Sequence, residues 1–510
     1  MINQPKISTL IVLATVLGGC SQMPAYERPK APVPSAWPGS VQPKAATGVA
    51  PAEWQYYFTD PRLQALIATA LENNRDLRIA TARIAEANAQ YGVQSADRLP
   101  NVNVVGSHTA GKTPASALGS TSDLHTQRYD VNLGLVSYEL DFWGRVSSLS
   151  VSAKASYLAT AAAQEAFRLS LIADVANAYL SLLELQERTR LADATVKDRA
   201  ESRELVMRRR EAGVASETDF LQEEGSYQSA VADLANLQQQ QAAAENFLNL
   251  LLGRSMEGMK DLPAGRSLAE QDINSDLFAG LPADVLLQRP DVLAAEQQLI
   301  AANANIGAAR AAFFPNITLT GSAGTASDSL SGLFKSGNGA WSFQPSIVLP
   351  LFDAGRNSAN LDIANARKMI AVAEYEKTIQ QAFREVADLL SARDKLAGQL
   401  AAQQANAKAQ KQLLRLVEAR YQAGIVSHLE VLDAQRQSFA AEQGEIQVRR
   451  AWLSAETQLY KALGGERNDT AGNATQEAAS KQEPVDGTTS HSTKPSKDDS
   501  QVDGYVRAPE

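Results

Sequence analysis

Two stretches of this chain, 211 positions apart, constrain its fold more than any other feature. RREAGVASETDFLQE surrounds Gly213 and YQAGIVSHLEVLDAQ surrounds Gly424, and Arg209 with Arg420 and Ser216 with Ser427 keep the same offset. In each, a glycine able to take the left-handed conformation ends an Ala/Gln-rich helical tract. A serine then opens the next helix, with an acid three positions on, Asp219 or Glu430, in capping-box register. Gly144 with Gly355 and Gly253 with Gly464 repeat the offset. The chain is therefore a duplication with two helical hairpin tips.

Lengths set the geometry. From Val146 and from Gly355 to their tips the chain runs about 67 residues, roughly 100 Å of straight helix. The returning helices are about 36 residues, roughly 54 Å, and the helices that enter the strands, Asp76 to Arg98 and Asp291 to Ala312, add roughly 35 Å. Two short helices stacked end to end thus match one long one. Leu432, Phe439, Ile446, Leu453 and Tyr460 recur every seven residues, and Phe220, Tyr227, Leu234 and Leu248 share such a register, which demands a neighbouring helix.

Pro100 ends the first entering helix, and FFPNITLTGSAG replays that transition at Pro315. The period then changes from 3.6 to 2. Strands are expected at about 101–112, 128–141, 315–324 and 341–352, with Tyr129, Val131, Leu133 and Leu135 on one face against Asp130, Asn132 and Gly134. Four such strands cannot close a barrel, and lipid does not tolerate an open edge, so self-association must complete the sheet. Two chains would give eight strands and a filled interior; three give twelve and room for a water-filled lumen.

Composition agrees with long helices packed through small side chains: 44% of the 510 residues are apolar but only 6% aromatic. A net charge of −9 without a basic cluster argues against nucleic acid as a partner. At the N-terminus, Lys6 precedes an apolar run from Ile7 to Leu17 that is too short to span a bilayer. It ends in LGGC, which resembles the bacterial lipobox. That resemblance implies cleavage of residues 1–19, a covalent lipid (N-palmitoyl and S-diacylglycerol) on Cys20, and, with Ser21 behind it, an outer-membrane destination. The domain plan is then an extended Pro/Ala-rich segment at 20–59, a first repeat at 60–253, a linker at 254–280, a second repeat at 281–465 and a disordered polar tail at 466–510.

The duplicated plan, the lipobox, YELDFWGR, LPLFDAGR and the second tip together resemble the outer-membrane factors of tripartite efflux pumps. These are the TolC-like proteins, and the likeness is to their lipoprotein branch serving RND transporters, over about residues 20–465. It implies an α+β membrane protein, a homotrimer whose four strands per chain form a twelve-stranded outer-membrane β-barrel continuous with a periplasmic α-helical barrel. It further implies a passive conduit for small amphiphiles such as antibiotics and solvents, meeting a periplasmic adaptor and an inner-membrane RND transporter at its tips. Rival readings are a type I secretion conduit for polypeptides and a coiled-coil lipoprotein without transport.

For site residues, the residues alone leave Glu430 as a cap, Asp433 as a first-turn acid and Leu429 as seam packing. The resemblance implies instead that Leu429 and Asp433, with Glu430 beside them, ring the periplasmic aperture. It also implies a latch between hairpins at Asp219 and Tyr421, with Arg420 as a possible ion-pair partner. Val426 stands where the enterobacterial prototype has an arginine, and Gln222 is the uncharged counterpart of Asp433, so fewer charged links are expected. No enzyme is expected: His108, His125, His428 and His491 are scattered over loops and tail without metal-ligand spacing, and no Gly-rich loop cradles a phosphate. No cofactor is expected beyond the lipid.

Overall fold

The computed structural model describes residues 21–37, 53–119, 121–259, 261–274 and 283–465; the expected signal peptide, Cys20 and the tail from 466 lie outside them. The first repeat comprises α1 (Trp54–Tyr57), α2 (Pro61–Asn73), α3 (Arg75–Ala96), β1 (Val102–Thr113), α4 (Ala115–Leu118), β2 (Leu124–Glu139), α5 (Arg145–Glu211) and α6 (Glu217–Leu252). The second comprises α7 (Pro290–Ala311), β3 (Asn316–Ser327), β4 (Gly339–Val348), α8 (Arg356–Gln422) and α9 (His428–Ala462). Single 3₁₀ turns at Met256–Gly258 and Leu268–Glu270 occupy the linker.

α5 and α8 are 67 residues each. Each starts from an aspartate in the strand-to-helix joint. Asp141 accepts from the amides of Val146 and Ser147, and Asp353 from those of Gly355 and Asn357, which satisfies donors that a helix start leaves orphaned. Gly144 and Gly355 take the left-handed conformation at φ 71° and 84° between acid and helix. Around the first joint, Trp143 stacks on Phe314 and donates to the Pro315 carbonyl, while Glu139 holds Arg145 at 2.8 Å. YELDFWGR is thus the chemistry of one turn.

The short helices meet end to end. Asn74 caps α3 by accepting from the Leu77 amide at 2.8 Å, and its amide donates to the Leu251 carbonyl near the end of α6, also at 2.8 Å. Gly253 closes α6 at φ 69°, so near α2 that a Cβ would lie 2.4 Å from the Asn73 carbonyl oxygen. In the second repeat Arg289 replaces Asn74: it precedes α7, donates to the Ala462 carbonyl in α9, and pairs with Asp291 and Glu385. The main core lies at this level, where Tyr57, Phe58, Leu66, Ile67, Ile172, Tyr375 and Tyr460 are all at most 1% exposed. α5 is the only described helix long and apolar enough to cross a membrane, but 56% of that apolar window is buried in the chain.

The four strands form one antiparallel sheet in the order β1-β2-β3-β4. Registers place Val102, Val104, Val131, Leu133, Leu319, Trp341, Phe343 and Ile347 on one face and Asn103, Ser107, Asp130, Asn132, Ser322, Ser342 and Gln344 on the other. One face suits lipid and the other water. β1 and β4 each keep one edge unpaired among the described residues. Within β2, Ser137 at φ 52° makes a bulge that shifts the register between Leu135 and Tyr138. β2 begins at Leu124, earlier than the apolar alternation indicates, because pairing with β1 carries it through polar residues. β4 ends at Val348 rather than 352, ahead of Pro350, which has no amide to donate.

The expected extended segment at 20–59 is only partly so, since α1 lies within it and buries Trp54 and Tyr57. Residues 21–37 do run extended, but they are tied down. Tyr26 and Arg28 reach the buried Glu296, the Pro24 carbonyl accepts from Asn303, and Trp37 stacks on Phe383 at 5.0 Å. Ser21 ends beside Gly144, where a Cβ would lie 3.2 Å from the Ser21 Cα.

Candidate functional site

Both tips are built alike. At the first, the Gly213 and Val214 amides donate to the Arg210 and Arg209 carbonyls with Gly213 at φ 73°; at the second, Gly424 and Ile425 donate to Tyr421 and Arg420 with Gly424 at φ 72°. Ser216 caps α6 with Asp219, and Ser427 caps α9 with Glu430, each acid returning a bond to the cap amide. Hydrogen bonds from the Ser216 hydroxyl and amide hold the Asp219 carboxyl below the usual carboxylate range. Val214 and Ile425, at the points of the turns, are exposed.

One turn into α9, Leu429 is 60% exposed and lies with Asp433 on the wall of a groove of about 410 Å³, shared with Arg199, Asp233, Leu432 and Phe439. Asp433 is not a bare charge: it accepts from Arg436 at 2.6 Å and from Gln437. Glu430 is occupied in its cap.

Of the expected latch residues, Tyr421 does link the two hairpins, but to Arg209 and not to Asp219. The Tyr421 hydroxyl accepts from Arg209 at 3.2 Å, whereas Asp219 is engaged by Ser216, and Arg420 makes no ion pair among the described residues. The stronger link involves a histidine that the sequence reading sets aside as a loop residue. His428 is the first residue of α9; its Nε2 lies 2.6 Å from Glu223 Oε1, with the side chains 9% and 0% exposed. The Ser202 hydroxyl donates to the same oxygen at 2.8 Å, and the Tyr421 ring lies 5.3 Å from the imidazole. Burial works against the Glu223 charge. The close approach of His428, the hydrogen bond from Ser202 and the nearby positive charges, Arg199 included, outweigh it and hold the carboxyl below its usual value. A signal was available: Glu223 lies between Phe220 and Tyr227, and His428 four residues before Leu432, so both are polar residues in apolar seams.

Among the described residues no cluster of three or more His, Cys, Asp or Glu could hold a metal ion. What the fold offers is a passage: a sheet with one polar face, joined by two turns to helices that end in paired tips.

The family model described as "Outer membrane efflux protein" matches residues 66–254 and 281–465, one segment per repeat. The chain belongs to that family. As an outer-membrane efflux protein it is 43% identical over 478 residues to the toluene efflux pump outer membrane protein TtgC of Pseudomonas putida, covering 93% of this chain and 98% of that one. It is 42% identical over 456 residues to the outer membrane protein OprJ of Pseudomonas aeruginosa, covering 89% and 95%. Among solved structures, the open state of the MtrE outer membrane channel of Neisseria gonorrhoeae superposes with a TM-score of 0.79 at 40% identity, covering 88% of this efflux protein and 98% of that chain. The fold is that of trimeric outer-membrane channels, four strands per chain toward a twelve-stranded barrel continuous with a helical one. The efflux protein is thus a channel component of the outer membrane that extends into the periplasm.

Proposed function

We propose that this channel is the exit duct of a tripartite pump for small amphiphilic compounds, antibiotics and organic solvents among them, gated at its periplasmic tips. The observation that carries this reading is the continuity from the two-faced sheet, through the Asp141 and Asp353 joints, into α5 and α8 and their tips. The relatives named for toluene and antibiotic efflux support the substrate class. A periplasmic adaptor and an RND transporter select what enters and supply the energy.

In this reading Leu429 and Asp433 narrow the aperture, repeated three times about the axis, with Arg436 offsetting part of the acidic charge. Cys20 carries the lipid. Ser21 beside Gly144 supports that role, since the described chain begins at the joint where strands become helices. The test is expression in a bacterium lacking its own efflux channel, with the cognate adaptor and transporter. Restored export of a fluorescent amphiphile is expected, with Cys20→Ser lowering the amount of channel in the outer membrane. Export that stays absent while trimers reach the membrane would overturn the reading.

A further inference from the structure

The His428 and Glu223 pair lies where a coiled-coil seam would ordinarily hold apolar side chains. A buried ion pair is seldom the most stable filling of such a place, because desolvation consumes most of the attraction; its best-attested use is to specify or switch an arrangement. Here α9 of one hairpin supplies the imidazole and α6 of the other the carboxylate, so any separation of the hairpins at this level must break the pair. The pocket is also incompletely satisfied. Glu223 Oε2, Arg199 Nη1 and both ring nitrogens of His428 are buried without an aligned hydrogen bond among the described residues, so the 2.6 Å approach of Nε2 to Glu223 is an ion-pair contact.

We propose that His428 and Glu223 form a proton-controlled clasp between the two hairpins, tightened when His428 takes a proton from solvent and loosened when it gives the proton back.

The groups facing the imidazole come from every element packed against it. α6 contributes Glu223 and Asp219, α5 contributes Arg199, with the Ser202 hydroxyl on the shared carboxylate, and α8 contributes the Tyr421 ring, whose hydroxyl is held by Arg209. With His428 protonated, the acids Glu223 and Asp219 are balanced by Arg199 and the imidazolium. With it neutral, the fully buried Glu223 keeps Arg199 as its cationic neighbour among the described residues. The contact between the ring and Glu223 is an ion pair only while the ring carries a proton, and opening separates the two, so proton binding and clasping are linked. The lower limit follows from Glu223. Its pKa is depressed in the clasped state, so its contribution is present above the usual glutamate value and is lost as pH falls through the lowered one. The clasp is therefore weakened on the acid side by loss of the Glu223 charge and on the alkaline side by loss of the imidazolium.

This inference concerns the regulation of the proposed gate and rests on that reading, so two readouts are needed. Full-length trimers are placed in planar bilayers at about pH 5.5 and about pH 8, the span of histidine titration. Wild-type conductance is expected to rise several-fold with pH, within the roughly 5- to 150-fold range of typical couplings. His428→Gln keeps a donor but cannot titrate and should flatten the profile; Glu223→Gln should conduct more than wild type at the acid end. In the same trimers, spin labels on Val214→Cys and Ile425→Cys report the separation of the tips. A separation that grows with pH in wild type but not in His428→Gln supports the clasp even if no current flows, which would count against the conduit alone. Identical pH profiles of current and tip separation in wild type and His428→Gln would overturn the clasp and leave the conduit standing.

Discussion

Asn74→Ala should loosen the joint between α6 and α3 far more than its distance from the tips or the barrel suggests. The side chain is 4% exposed and does two things at once, accepting from the Leu77 amide and donating to the Leu251 carbonyl, each at 2.8 Å. Losing an N-cap costs about 1 kcal/mol, and leaving a largely buried carbonyl without its donor about 1–3 kcal/mol, so the substitution removes about 2–4 kcal/mol locally. Hydrogen exchange on detergent-solubilised trimers reads this directly where exchange follows local opening. The Leu77 amide should exchange about 30- to 700-fold faster, at tenfold per 1.4 kcal/mol. Asn74→Asp discriminates the two contributions: it keeps the accepting oxygen, so Leu77 stays protected, while the last turn of α6 loses protection. Exchange at Leu77 within about threefold of wild type in Asn74→Ala would refute the assignment of this residue as the joint.

Two further perturbations probe the sheet and the tips. At Gly324 a Cβ would lie 2.1 Å from the Val131 carbonyl oxygen, a backbone atom that cannot yield without breaking the β2 and β3 pairing. Gly324→Val is therefore expected to abolish heat-resistant trimers on gels while leaving helix content by circular dichroism largely intact. Tyr421→Phe removes one exposed bond to Arg209, worth about 0.5–1.5 kcal/mol, and should raise conductance modestly. Asp219→Ala should instead fray the start of α6 through its cap, seen as faster exchange at residues 217–220 with little change in current.

The features legible in the sequence are those written in local chemistry. Glycines at 213 and 424 announce the tips because the chain turns there through the left-handed conformation, at φ 73° and 72°, which glycine adopts without strain. The alternation from Tyr129 to Leu135 announces a two-faced strand, since the side-chain period there is two whatever the partner. The start of β2 at Leu124 is not legible, because pairing with Thr113 and not its own side chains makes it a strand. Nor is the bulge at Ser137, a residue with no intrinsic claim to positive φ. The path of residues 21–37 depends on Glu296 and Phe383, more than 250 positions away. At the tips, the family's pattern points to Asp219 and Tyr421, but the capping box takes Asp219 first. The pairing of His428 with Glu223 joins the two repeats, and seam register marks each as unusual without saying which meets which.

The unpaired edges of β1 and β4 also have a genetic consequence. In a threefold ring the first edge of each chain must zip to the last edge of its neighbour, a head-to-tail contact that exists only when the circle is complete. No chain is finished alone, and none can be replaced without touching two others. A copy damaged at either edge is therefore not merely lost. If a cell makes sound and damaged copies in equal amounts and mixes them freely, about one ring in eight is wholly sound. Defects in these two strands should accordingly behave as dominant, while substitutions confined within one chain's helical joints should be masked by a good copy.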